Sequence, residues 1–161
     1  MKTIILTKAE LDSLPSDVQE KVMKVYNERE NTISELKTRI KNLPFREIDY
    51  RTDNNDISAE VKGGENLKIS LWEKTGGEEW GNCAGSNYTF RLGKKYIRMY
   101  IESFATNRMN WDGPTVTLSA AKLAEIIDLL EEAYKSEETD KGHIVSIVAS
   151  RIKKLDPDWN Y

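Results

Sequence analysis

One cysteine (Cys83) and one histidine (His143) are all that this 161-residue chain holds of the two residue types that most often build staples and metal sites. A lone cysteine closes no intrachain disulfide, and with a single histidine it completes no zinc site, so disulfide-stapled scaffolds and structural zinc modules are excluded together. The core must therefore be apolar packing. Also missing is any run near the roughly 18 to 20 consecutive apolar residues of a membrane helix. Met1 to Lys8 is too short and too weakly basic for a secretion signal, so a soluble, cytoplasmic protein without a membrane partner is expected. A formal net charge of -3, from 24 Lys and Arg against 27 Asp and Glu, excludes a surface that is basic throughout. It leaves room for a local basic face.

Catalytic signatures are also scarce. His143 follows Gly142 without a serine, cysteine or paired carboxylate at a recognisable spacing, and Cys83 has no partner motif and reads as an inert thiol. Gly76, Gly77, Gly81 and Gly85 fit neither the phosphate-loop pattern nor the dinucleotide fingerprint. The expectation is a protein that is not an enzyme and needs neither cofactor nor metal.

Helical signals open the chain. Thr7 with Glu10, and Ser16 with Gln19 after Pro15, have capping-box spacing. Val18, Val22, Val25, Ile33, Leu36, Ile40 and Leu43 then recur at intervals of three and four, interrupted by Arg29 and stopped by Pro44. So narrow a stripe on so long a helix predicts an arm, residues 1–44, with the Asp53, Asn54, Asn55, Asp56 run as part of the join to a core domain. In residues 45–135, Ile57, Ala59, Val61 and Leu67, Ile69, Leu71 alternate as two strands around Gly63 and Gly64. Thr75 to Asn87 and Ala105 to Pro114 read as loops, Thr115 to Leu118 as a short strand, and Ser119 as the N-cap of a helix reaching Tyr134. Residues 136–161 form a last helix beginning after Gly142, and an acidic, aromatic tip from Asp156 to Tyr161 that reads as a docked helix end, with a partner hook as the alternative. The fold class expected is α+β: an antiparallel sheet packed on helices, with a long N-terminal helix and an extra C-terminal one.

The most informative segment is the hairpin from Asn87 to Glu102. With Gly93 and Lys94 as its turn, Leu92 would pair with Lys95, Phe90 with Ile97 and Tyr88 with Met99. Alternation sorts the strands into an apolar face and a second face carrying Thr89, Arg91, Tyr96, Arg98 and Tyr100. Between Cys83 and Ile101 there are four cations (Arg91, Lys94, Lys95, Arg98) and no acid, inside an acidic chain. Lys68 and Trp72, on the non-core side of the neighbouring strand, add another cation and another ring. Single-stranded nucleic acid calls for this mixture, because cations follow the phosphates while flat rings stack on bases. A duplex reader more usually presents a basic helix. The predicted interface is thus Lys68, Trp72, Arg91, Lys94, Lys95, Tyr96, Arg98 and Tyr100, with single-stranded DNA or RNA as partner. Two competing expectations stand beside it. Tyr96, Arg98 and Trp72 are instead covered by the N-terminal helix or by a second subunit, or the chain is a protein-interaction module, such as a small phage-like inhibitor or accessory protein, using the acidic Glu125, Asp128, Glu131, Glu132, Glu137 and Glu138.

The run Asn87-Tyr-Thr-Phe-Arg-Leu-Gly-Lys-Lys-Tyr-Ile-Arg-Met-Tyr-Ile101, then Gly113-Pro114, Thr115-Val-Thr-Leu-Ser119 and an amphipathic helix, resembles the positive-cofactor-four type of single-stranded-DNA-binding transcriptional coactivator. The likeness runs from about Leu67 to Tyr134 in short motifs. It implies a homodimer whose helices meet at the two-fold axis and whose strands bind unpaired DNA, with Arg91, Lys94, Lys95, Tyr96 and Arg98 at the matching positions. The chain departs from the family in Pro114-Thr115 before the helix, in the long Thr75 to Ser86 segment, and in its added first and last helices.

Overall fold

A computed structural model describes residues 6–51, 55–74, 83–105 and 110–159. The chain runs α1 (Lys8–Asp12), α2 (Ser16–Lys41), β1 (Glu47–Arg51), β2 (Asn55–Lys62), β3 (Asn66–Lys74), β4 (Cys83–Leu92), β5 (Ile97–Ala105), β6 (Asn110–Leu118), α3 (Ala120–Lys135) and α4 (Glu138–Leu155). The six strands form one antiparallel sheet in sequence order, a meander in which each strand pairs with the next. It is an α+β fold, with the helices gathered on one side of the sheet.

Alternation explains that one-sidedness. Tyr88, Phe90 and Leu92 of β4, and Ile97, Met99 and Ile101 of β5, point to the same face and are buried. They meet Ile33, Leu36 and Ile40 of α2, Leu123, Ile126, Ile127 and Leu130 of α3, and Ile144, Val145, Val148 and Ile152 of α4 in a single hydrophobic cluster. The second half of α2 is therefore part of the core. Its first half carries Met23 and Val25 largely uncovered, along a helix of about 39 Å at 1.5 Å per residue.

Several local readings are modified. The Thr7 and Glu10 capping box forms, with the Thr7 N–H donating to Glu10 at 2.7 Å and holding its carboxyl below the usual range. Ser16 and Gln19 make no box: Pro15 takes the cap position, and the Gln19 amide donates back to the carbonyls of Asp12 and Leu14, tying α1 to α2. The expected join contains β1, whose exposed Glu47, Asp49 and Arg51 alternate with buried Ile48 and Tyr50. Asp53 and Asn54 lie outside the described residues, as do residues 75–82 of the expected loop. β4 already begins at Cys83. Gly63 and Gly64, with φ of 60° and 75°, make the β2–β3 turn as expected. Gly113 and Pro114 are not loop but a bulge inside the edge strand β6, both facing Ile101 between the pairs Tyr100–Thr115 and Glu102–Asp112.

Gly142 sits within α4, which starts at Glu138. Nothing lies within 4 Å of a Cβ added there. Gly142→Ala is therefore expected to raise stability by about 0.5 to 1 kcal/mol by lowering the freedom of the unfolded chain, read as a higher denaturant midpoint.

Two phenols lie inside. The Tyr88 hydroxyl donates to Asp156 at 2.8 Å, and burial followed by that bond pushes its pKa up. Asp156 also accepts the Asp158 N–H, and Lys153 lies 4.7 Å from the Trp159 ring, so this end is docked against the core, as expected for 156–159. Tyr50 is also buried, but its hydroxyl has no partner among the described residues, and burial pushes its pKa up to about 12. Both folded phenols hold their protons to higher pH than unfolded tyrosine. The stability this confers is complete below about pH 10, and for Tyr50 it fades as pH rises towards about 12. Tyr50→Phe removes an unbonded buried hydroxyl and is expected to raise stability by roughly 1 kcal/mol at neutral pH. Chemical denaturation at neutral and alkaline pH should also show a smaller alkaline loss in the variant.

Candidate nucleic-acid interface

Among the described residues, the helices pack on the apolar face of the sheet and none covers the opposite one. On β4 and β5 it presents Arg91 and Arg98, both exposed, and Tyr100, half-buried. The hairpin register is two residues from the expected one: Leu92 pairs with Ile97, Phe90 with Met99 and Tyr88 with Ile101. A slip of two leaves every side chain on its expected face. It also turns Gly93 to Tyr96 into a four-residue connection, closed by the Gly93 N–H donating to the Tyr96 carbonyl at 2.9 Å, so Tyr96 belongs to the turn instead of a strand.

This register sets Arg91 directly across from Arg98, with Thr117 beyond Arg98 on β6. The Arg91 guanidinium lies 4.6 Å from the centre of the Tyr100 ring, a cation–π contact that fixes the ring and the charge relative to each other. Arg91, Lys94, Lys95, Tyr96, Arg98 and Tyr100 line a shallow depression of about 490 Å³, together with Asn66, Leu92 and Gly93. No acid lines it. Lys95 also reaches Tyr26 of α2, its ammonium 4.2 Å from the ring centre. Tyr26 is thus a support for the turn that the sequence reading did not include.

The electrostatics of this end differ from those of the rest of the molecule. Arg39 pairs with Asp128 at 2.6 Å and with Glu131 at 3.4 Å, and Arg151 pairs with Glu125 at 2.8 Å. Arg91, Lys94 and Arg98 have no ion pair among the described residues. Like charges facing each other across a strand pair are unfavourable for the fold. Facing each other, Arg91 and Arg98 gain nothing from this pairing, although Arg91 also contacts the Tyr100 ring, and together they concentrate positive potential over the depression.

The other two expected residues fall elsewhere on the same face. Lys68, half-buried, sits across from Thr89, which in turn faces Tyr100, so it borders the basic end. Trp72 is farther down the sheet, where it faces Gly85 and packs on Phe104 at 4.2 Å between ring centres. It shares a second hollow with Trp111, Glu102 and Asp112. Hence the acid-free character of the hairpin ends at Tyr100: Glu102, the next outward position of β5, is exposed and faces Asp112. Phe104, Trp111, Glu102 and Asp112 were not identified from the sequence, because their neighbours depend on the strand register.

Candidates for other chemistry stay apart. His143 is exposed on α4, and no group of three or more potential ligands able to hold a metal ion occurs among the described residues. No described helix is long and apolar enough to cross a membrane. The acidic helix positions proposed for a protein partner are largely engaged at home, since Asp128, Glu131, Glu125 and Glu138 all take part in ion pairs within the chain. Compared with family models, curated proteins and solved structures, the chain finds no match.

Proposed function

We propose that the protein is a cytoplasmic, non-enzymatic binder of single-stranded nucleic acid that uses the hairpin end of its uncovered sheet face. The observation that carries this reading is the Arg91–Arg98 pair, set directly opposite each other and without a carboxylate partner among the described residues, beside Lys94 and the rings of Tyr96 and Tyr100. Phosphates supply the missing counter-charge. Rings half-open beside them supply stacking surfaces for bases, which requires the bases to be unpaired. The shallow form of the depression suits an extended strand better than a compact metabolite, which is normally enclosed on most sides.

The homodimer implied by the resemblance belongs to the same proposal. Fluorescence anisotropy with labelled single-stranded and duplex oligonucleotides, at about 50 and 200 mM salt, tests the class. Tighter binding of the single strand and a steep loss with salt are expected, with two chains per complex in sedimentation. Equal affinity for duplex, or affinity indifferent to salt, would reject the reading.

A further inference from the structure

The second hollow on this face, about 740 Å³ in volume, has a chemistry unlike the first. Its exposed ring is that of Trp72, 41% accessible and packed against Phe104 at 4.2 Å between ring centres. Lys68 lines it on the side of the basic end, and the carboxylates of Glu102 and Asp112 line it opposite. Glu102 and Asp112 stand across from each other on β5 and β6, exposed and without an ion-pair or hydrogen-bond partner among the described residues. Asn87, opposite Glu102 on the other side, accepts the Ser70 hydroxyl at 2.6 Å through its Oδ1, which leaves its amide N–H groups as donors.

Two carboxylates repel a phosphate, so the hollow does not extend the backbone track. It fits a flat group that presents adjacent N–H donors with a carbonyl beside them. Among the nucleobases, guanine has that edge: its N1–H and N2 amino group donate to a carboxylate while O6 accepts from an amide. Thymine offers a single N–H. We propose that this hollow receives an unpaired guanine from the strand whose phosphates lie on Arg91 and Arg98, stacked on Trp72 and held at its edge by Glu102, Asp112 and Asn87. The inference rests on the binding reading above. From Arg98 to Phe104 along β5 is about 20 Å at 3.3 Å per residue, enough for a few nucleotides. Lys68, which lines this hollow on the side nearer Thr89 and Tyr100, stands beside the path of the connecting phosphate.

The test compares oligonucleotides of about a dozen nucleotides: oligothymidine, oligocytidine, alternating thymidine–guanosine, and the last with inosine in place of guanosine. The wild-type protein should bind the guanosine-containing strand about tenfold tighter than oligothymidine, from the worth of one bidentate base contact. Inosine, which lacks the N2 amino group, should lose most of that margin. Glu102→Gln with Asp112→Asn should abolish the preference and leave oligothymidine affinity unchanged or slightly raised, with an unchanged circular dichroism spectrum. Equal affinity for all strands, a preference for cytidine, or a guanosine preference that survives the double variant would overturn the guanine site while leaving the binding reading standing. Failure of every strand to bind would overturn both.

Discussion

Replacing Tyr96 and Arg98 together with alanine is expected to weaken an oligothymidine complex by about two orders of magnitude while the protein stays folded. One stacked ring contributes about 1 to 3 kcal/mol by alanine substitution, and loss of a phosphate contact adds to this and lowers the salt slope by about 0.7. The structure gives specific grounds for the second half of the expectation. Arg98 is exposed and faces Arg91, so its removal relieves a like-charge contact. Tyr96 contributes its backbone carbonyl to the turn, which alanine retains. Anisotropy titration paired with a thermal melt checks both halves. Unchanged affinity in a folded double variant would remove the hairpin end from the interface.

The largest effect on stability is expected at Gly85. A Cβ at this position would lie 2.4 Å from the Leu71 carbonyl oxygen and 2.6 Å from Cζ of Phe104. The ring can swing away, but the oxygen belongs to the backbone of β3, the strand paired with β4, and can retreat only if that pairing opens. Gly85→Val should therefore cost about 3 to 5 kcal/mol, in the range of severe overpacking, and lower the melting temperature by roughly 10 °C for a domain of this size. A melting temperature within a degree or two of the parent would show that β3 and β4 separate locally at little cost. The same close approach explains the paired rings: Phe104 and Trp72 flank the glycine from the strands on either side and cover the backbone that it leaves bare.

The faces of the sheet were legible in the sequence because alternation survives errors of register. Arg91, Arg98 and Tyr100 emerged on the uncovered side even though the turn is two residues longer than Gly93-Lys94, since a shift of two preserves the side on which each residue points. The same error concealed that Tyr96 is a turn residue and that Arg91 faces Arg98. β1 escaped notice because only Ile48 and Tyr50 turn inward, and its other positions carry the charges of an edge strand. The strand around Gly85 escaped because its missing side chain is replaced by rings from Trp72 and Phe104, which lie far away in sequence. The second hollow was illegible for a related reason: Glu102 and Asp112 come together only through the displaced pairing at Gly113-Pro114.

That bulge has a further consequence. β6 is one border of the sheet, and Pro114, having no amide hydrogen, breaks the row of donors that another strand would need. At the far border the short β1 offers alternating Glu47, Asp49 and Arg51. Both margins thus resist edge-to-edge stacking into fibrils.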